Sequence, residues 1–459
     1  MATHTLKQTP QIGMRGRVFR LAMPAVGEQF LNLLVGLVDT FLVGHLAAGT
    51  MSSLGYGSAQ ALAAVGLSSY VIWTATTLFI AVAVGATALI ARASGAGDPV
   101  AANSALRQSL LLGALMGMLA LALITLFAGQ VMHLLGAPAD VYPLGVGFLR
   151  ITALSMPLAG ILFIGNAALR GEGDTRTPLF VMFVVNGLNM LIAWLLVNGQ
   201  FGLPALGVHG TAIGAAVGRS SGGLLVLVML MRGRGLLRLD RLPRPEPDML
   251  RRLIRIGLPS GGEQLAFQGA LVLFARLVTG LGTVAFAAHN TVITIESISF
   301  LPGAGFAAAA TTLVGQGLGA HDPERARWSG YESFRQAGLF MAGMGLLFIL
   351  VPHWFLSLLV DDPQVIAAGV TPLRTVGIIQ PLLAASFVFS GALRGAGDTR
   401  FPLWIKLISP WLLRLPLAFL LIPLFGLTGA WIALSSDLAL QGVLAWWRFR
   451  GGSWRQIRV

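Results

Sequence analysis

The residues of this chain able to do chemistry are few, and the most informative stand alone in apolar runs. Asp39 lies in LLVGLVDTFLVG, Glu296 in ITIESISFLPG, Arg414 in WLLRLPLAF and Asp437 in ALSSDLAL. An ionised Asp at the centre of an apolar span costs about 2.5–3.5 kcal/mol on insertion scales, so a carboxyl kept there is a candidate for carrying a proton or a small cation. Asn189 and Thr211 bring an amide and a hydroxyl to depths that suit company for Asp39. Glu28 and Glu263 hold matching places, each four residues after a proline, Pro24 and Pro259. A proline frees a backbone carbonyl and bends a helix, so a nearby carboxyl suits an architectural role and Pro24 suits a hinge. Arg414 and Asp437 are expected to face each other as a structural ion pair. Cysteine is absent and the seven histidines lack ligand-like spacing, so thiolate chemistry, disulfides and a metal centre are not expected.

The elements that must position these groups follow from composition. Apolar residues are 55% of the 459 and charged residues 11%, less than half the roughly 25% of a soluble domain. Mean hydropathy is +0.78. A soluble enzyme and a disordered chain are excluded, and an all-α polytopic membrane protein remains. Apolar windows long enough to span a bilayer fall at 18–45, 61–91, 106–128, 141–168, 179–199, 209–231, 253–279, 284–316, 334–359, 364–393, 401–424 and 428–447. The first is too long for a cleaved signal peptide and is expected to stay. Lys and Arg gather at the N-terminus (Lys7, Arg15, Arg17, Arg20), in alternate loops, and at the C-terminus (Arg448, Arg450, Arg455, Arg458), with eight arginines between Arg232 and Arg255. The loops 46–60, 200–208, 280–283 and 425–427 hold none. The positive-inside rule puts both termini in the cytosol, and the net charge of +13 then needs no nucleic-acid partner.

The sequence also repeats itself. LRGEGDTRTP at 169–178 and LRGAGDTRFP at 393–402 share eight of ten residues at a shift of 224, and Asp98-Pro99 maps onto Asp322-Pro323. MPAVGEQF from Met23 and LPSGGEQL from Leu258 match at a shift of 235. Each half has six spans, an even number, so the halves enter the membrane in one orientation as a parallel repeat. The expected layout is two pseudo-symmetric six-helix bundles, residues 1–231 and 253–459, joined by a basic linker, 232–252. Two bundles with a cleft between them suit alternating access.

The LRGxGDTRxP blocks, the GAGDP and GAHDP turns, the Pro-x-x-x-Glu-Gln openings and VDTFLVGHL together resemble the MATE (multidrug and toxic compound extrusion) transporters, most closely the DinF-like bacterial branch. The resemblance covers nearly the whole chain. It implies a bacterial inner-membrane exporter of organic, mostly cationic compounds, with no cofactor, exchanging them for protons or sodium ions, with Asp39 as the coupling residue. The sodium-binding members resembled here carry a second carboxylate four residues after the span-five Asn; this chain has Ala193, which favours protons. Some members have a second cation locus, a Glu in span seven and an Asp in span ten. The corresponding stretches here offer Gln268 and no carboxylate within 365–393, so that locus is expected to be lost.

Other groups read more plainly. Glu296 has Ile72 at its matching place in the first half and is a functional candidate by its isolation. Arg150 and Arg374 are expected to snorkel, Asp174 and Asp398 to serve cytosolic turns, and Arg219 has no evident partner. The expected partners are small organic substrates and the bilayer, around a monomer. A lipid-linked saccharide flippase would want a strongly cationic cavity and extra spans, and a membrane enzyme paired acids, a metal cluster or a nucleophile at the membrane face. Neither set is evident.

Overall fold

A computed structural model of the chain describes residues 13–46, 48–240 and 244–457. Lys7, Arg241 and Arg458, three of the basic residues counted above, lie outside the described residues. The order is α1 Met14–Gly44, α2 Ala48–Leu54, α3 Ser58–Ala96, α4 Pro99–Leu134, α5 Tyr142–Ala153, α6 Met156–Glu172, α7 Arg176–Val197, α8 Val208–Arg232, α9 Pro247–Thr279, α10 Thr283–Gly319, α11 Pro323–Leu350, α12 Pro352–Ser357, α13 Pro363–Gly395, α14 Arg400–Ser409, a π-helical turn Pro410–Arg414, and α15 Leu415–Gly451.

Among the described residues, nine helical stretches are long and apolar enough to cross a membrane, and α5 with α6, bent by 56°, makes one broken span. The stretch Arg400–Gly451 is 52 residues long, and at 1.5 Å per residue it would reach about 78 Å, far beyond a hydrocarbon core of about 30 Å. It turns back at Gly426, whose φ of 55° and ψ of −132° suit glycine, and beyond the turn Gly429 packs on the Leu421 backbone. With that hairpin counted as two, and α9 added despite the arginines in its first turns, twelve spans result. The helices of the third and ninth spans begin before the sequence windows, at Pro99 and Pro323. Asp98 accepts from the N–H groups of Val100 and Ala101, and Asp322 from that of Arg325, so α4 and α11 start at capped polar turns that hydropathy does not register. The ninth window also ran through Val351, where α11 ends before the short α12.

The repeat is visible in bonds. Thr87 Oγ1 donates to the Ala167 carbonyl at 3.0 Å and Thr311 Oγ1 to that of Gly391 at 2.8 Å, each pair displaced by 224. The turns preceding the capping aspartates are the same left-handed turn, on Gly97 (φ 67°) in one half and on His321 (φ 56°) in the other.

The two bundles exchange their opening turns. Val18 and Ala22 of α1 belong to a core built mainly from α10, α11, α13 and α15, while Leu253 and Ile256 of α9 belong to the core of α3, α4, α6, α7 and α8. Glycine makes this closeness possible: a Cβ at Gly85 would lie 2.8 Å from the Leu253 carbonyl oxygen, and one at Gly95 or Gly319 would collide with the backbone of Gln316 or Arg92. Thr312 Oγ1 donates to the Arg170 carbonyl at 2.7 Å and Gln316 Nε2 to that of Glu172 at 2.9 Å. All of these contacts lie toward the end bearing the basic loops, so the bundles are sealed together there.

The described parts of the linker are docked on α4. Asn103 on α4 receives the Arg238 N–H and donates to the Leu236 carbonyl at 3.1 Å, and Gln108 donates to that of Arg244 at 2.7 Å. Glu246 accepts from Ser104 and faces Arg107. The Ser104 hydroxyl first, and Arg107 after it, hold the Glu246 carboxyl below its ordinary value of 4.5. A lowered carboxylate contributes docking that is complete above the ordinary value and is lost as pH falls through the lowered one.

Two outcomes are expected. Glu246→Gln, which imitates the protonated side chain, and Ser104→Ala should each speed tryptic cleavage after Arg238 at neutral pH; unchanged cleavage would mean that Glu246 does not hold the linker. Because the sequence lacks cysteine, Thr312→Cys gives a single thiol at a position 1% exposed. It should resist maleimide alone and label several-fold faster when combined with Gly95→Val, whereas equal protection in both would show that this seal does not depend on the glycine.

Candidate functional site

Asp39 sits on α1 five residues before its end at Gly44 and is 5% exposed. Its Oδ1 accepts from Asn189 Nδ2 on α7 at 3.3 Å. Asn189 is held by the neighbouring helix: Gly210, Gly214 and Gly218 let α8 lie directly on α7, and a Cβ at Gly214 would stand 2.9 Å from Asn189 Oδ1. The residue after Gly218 is Arg219. Its guanidinium and the Asp39 carboxylate lie within electrostatic reach of each other, and its Nη1 is buried without a hydrogen-bond partner. The structure therefore places Arg219, for which the sequence suggested no partner, in the Asp39 group. Thr211 is fully buried, but its hydroxyl donates to the Val208 carbonyl on its own helix at 2.8 Å, so it is not bonded to Asp39. Ala193 is buried one turn beyond Asn189, against Gly214.

The matching glutamates have matching partners. Arg170 Nη1 donates to Glu28 Oε1 at 2.5 Å, and Arg394 Nη1 to Glu263 Oε1 at 2.9 Å. Each arginine is the second residue of an LRGxGDTRxP block, so the two repeated motifs are the two ends of one ion pair, made once per bundle. Glu263 has Lys406 as a further cation at 3.2 Å, where the first half has Met182. Asp174 caps α7, accepting from the N–H of Thr177 at 2.9 Å, whereas Asp398 receives Arg448 Nε at 2.8 Å and ties α15 to its turn. Outside the membrane-spanning part, burial pushes the Glu172 carboxyl above its usual range.

In the second bundle, Arg414 and Asp437 are both fully buried and paired, Nε to Oδ2 at 2.8 Å and Nη2 to Oδ2 at 2.6 Å. Ser409 and Gln441 complete the Asp437 carboxylate. Glu296 on α10 is 7% exposed and feels the Arg414 charge. Gln268 is half-buried on α9, and α1 runs through Pro24 as a single helix. Arg150 and Arg374 are exposed. No cluster of His, Asp and Glu among the described residues has the make-up of a metal site.

Glu28→Gln is expected to leave the Arg170 charge unmatched. Breaking such a pair costs about 3 kcal/mol, the low end for buried pairs, because the Arg170 side chain is 22% exposed. The thermal midpoint in detergent should fall, and fall further in Glu263→Gln, which strands two cations. A Glu28→Arg, Arg170→Glu exchange should restore part of the loss; a Glu28→Gln midpoint equal to that of the parent would deny the pair a stabilising role.

Residues 24–195 and 259–420 match the MatE family model, one segment in each half. The chain is 32% identical to a probable multidrug resistance protein NorM of Thermotoga maritima over 456 residues, 99% of this chain and 95% of that one. It is 26% identical to the uncharacterized transporter YisQ of Bacillus subtilis, over 96% of this chain and 95% of that one. Among solved structures, it superposes on an outward-facing multidrug resistance MATE family transporter of the MOP superfamily with a TM-score of 0.86, 21% identity and 95% of each chain covered.

Proposed function

The chain belongs to the MatE family, whose members are transporters rather than enzymes, and from that premise we propose that it exports organic, mostly cationic compounds in exchange for protons, by alternating access between its two bundles. The bundles, residues 1–231 and 253–459 joined by 232–252, would move as two bodies in the bacterial inner membrane, as a monomer with both termini cytosolic. In this reading the sealed end is the cytosolic one.

The observation that carries the reading is the make-up of the Asp39 group. One carboxylate stands with one amide and with one guanidinium within electrostatic reach. A sodium site needs several hard oxygens with anionic charge in excess, but Arg219 already offsets Asp39 and Ala193 supplies no second carboxylate. A proton needs only the carboxyl oxygen. Asp39 lies about 8 Å from the outer end of α1 at 1.5 Å per residue, within reach of protons arriving from outside.

The exchange of opening turns suggests how a proton would be felt at the seal. The first turns of α1 pack in the second bundle through Val18 and Ala22, while its far half is held in the first bundle by the Asp39–Asn189 bond. Pro24 lies between the two. A protonated Asp39 no longer balances Arg219 and accepts less strongly from Asn189. The far half of α1 is then free to bend at Pro24, and the cargo leaves outward. Deprotonation toward the cytosol restores the pair. Each 100 mV supplies about 2.3 kcal/mol per proton and each pH unit about 1.36 kcal/mol.

Proteoliposomes loaded with ethidium test this. An inward proton gradient should drive efflux, and Asp39→Asn should abolish it. Efflux that follows a sodium gradient and survives the substitution would overturn the assignment of both ion and residue. Failure to move ethidium or other organic cations under either gradient would favour a flippase of lipid-linked saccharides.

A further inference from the structure

The second bundle holds a charge that its ion pair leaves unmatched. Asp437 is fully engaged by Arg414, Gln441 and Ser409. Arg414 donates Nε to Asp437 with Nη2 2.6 Å from Oδ2, lies 5.9 Å over the Phe274 ring, and keeps both Nη1 and Nη2 buried without a hydrogen-bond partner. Among the described residues, Glu296 is a further charged group within electrostatic reach of this guanidinium. One cation thus stands among two carboxylates. Arg414 and Asp437 are 0% exposed, while Glu296 keeps 7%. A buried carboxylate without a cation of its own is too costly to persist as a plain structural charge, and it is tolerable as a group that loads and unloads a proton.

Its surroundings can conduct one. Seven residues earlier, on the same face of α10, the buried His289 ring lies against Phe274 at 5.8 Å and Trp431 at 5.5 Å, with Nδ1 unpartnered. Three residues later, Ser299 donates to Gln380 Oε1 at 2.7 Å, and Gln380 Nε2 is buried without a partner. Unpartnered polar atoms spaced along an interior column are the ordinary lodging of bound water. Arg414 itself closes the π-helical turn Pro410–Arg414, a local widening that recurs at functional sites.

The duplication gives the column its meaning. At the shift of 235 relating the first and seventh spans, Asp39 corresponds to Phe274, the ring beneath Arg414 and beside His289. At the shift of 224, Asn189 corresponds to Leu413, the residue before Arg414. The polar cluster of the second bundle therefore surrounds the place that Asp39 and Asn189 occupy in the first, with its acid supplied by the eighth span instead of the seventh.

We propose that Glu296 is a second proton-carrying carboxyl, coupled through Arg414 to Asp437, so that each bundle carries one proton per transport cycle. A hydronium ion reaching the column from solution gives its proton to a Glu296 carboxylate oxygen and is left as neutral water; on release water takes the proton back, so one O–H bond breaks as one forms. The transport consequence rests on the proton-antiport reading; proton binding by Glu296 does not.

Two measurements on the full chain separate these. Infrared difference spectra of purified protein, titrated with acid, should show a protonated-carboxyl band that Glu296→Gln removes and Asp39→Asn leaves. Glu296→Asp should shift that band, and it serves as the decisive variant if Glu296→Gln does not fold. In proteoliposomes, two protons should be exchanged per ethidium in the parent and in Glu296→Asp, and one in Glu296→Gln. The accumulation reached at one pH unit should then drop about tenfold. A carboxyl band unchanged in Glu296→Gln, or unshifted in Glu296→Asp, overturns the proposal. A parent ratio of one, or a ratio still at two in Glu296→Gln, overturns it as well. If sodium proves to drive transport, the proton-antiport reading falls and the infrared result alone upholds or overturns proton binding at Glu296.

Discussion

A charge placed in hydrocarbon has to find its opposite within a few ångströms, and in this chain that requirement organises everything that is not lipid-facing. Glu28 meets Arg170, Glu263 meets Arg394 and Lys406, and Asp437 meets Arg414. The Glu28 and Glu263 pairs join helices distant in sequence, so matching the charge also fixes which helices lie side by side. Where the match is loose or incomplete, at Asp39 with Arg219 and at Glu296, stand the two carboxyls that we propose to carry protons. Rigidity and responsiveness arise from the same constraint, met fully in one place and partly in another.

The duplication distributes these roles unevenly. The ion pair between the Pro-x-x-x-Glu-Gln opening and the LRGxGDTRxP turn was kept in both halves, and so was the threonine bond from Thr87 or Thr311. Both lie toward the sealed end, where the two bundles must meet in the same way. Nearer the other end the halves have diverged. Asp39 stands opposite Phe274, and Asn189 opposite Leu413. Such a pattern fits a frame needing symmetry for closure and asymmetry for chemistry.

Much of this was legible in the sequence, and the limits have physical reasons. Twelve crossings could be read because burial in hydrocarbon is decided residue by residue, and the repeated Glu and Arg motifs could be recognised because they recur. Their union could not be read, since Glu28 and Arg170 are 142 residues apart and nothing local joins them. Arg219 escaped for a related reason: its neighbour is set by the rotation of α8 about its own axis, which the close glycine packing on α7 determines. The early starts of α4 and α11 escaped because capped turns beyond the hydrocarbon are stabilised by hydrogen bonds and not by hydropathy. Thr211 shows the opposite limit, where a residue of the right type at a suitable depth turns its hydroxyl to its own helix.

The exchanged opening turns of α1 and α9 also bear on how the chain is made. A helix made before its neighbours would normally complete its contacts with the spans that follow it immediately. Here α1 must wait for α10 and α11 before Val18 and Ala22 can be buried. The first half therefore reaches the membrane as an unfinished body, its leading helix fixed at one end and unpartnered at the other. Assembly ends only when the second half arrives and the two halves clasp, so the seal between them is also the last joint formed during biogenesis.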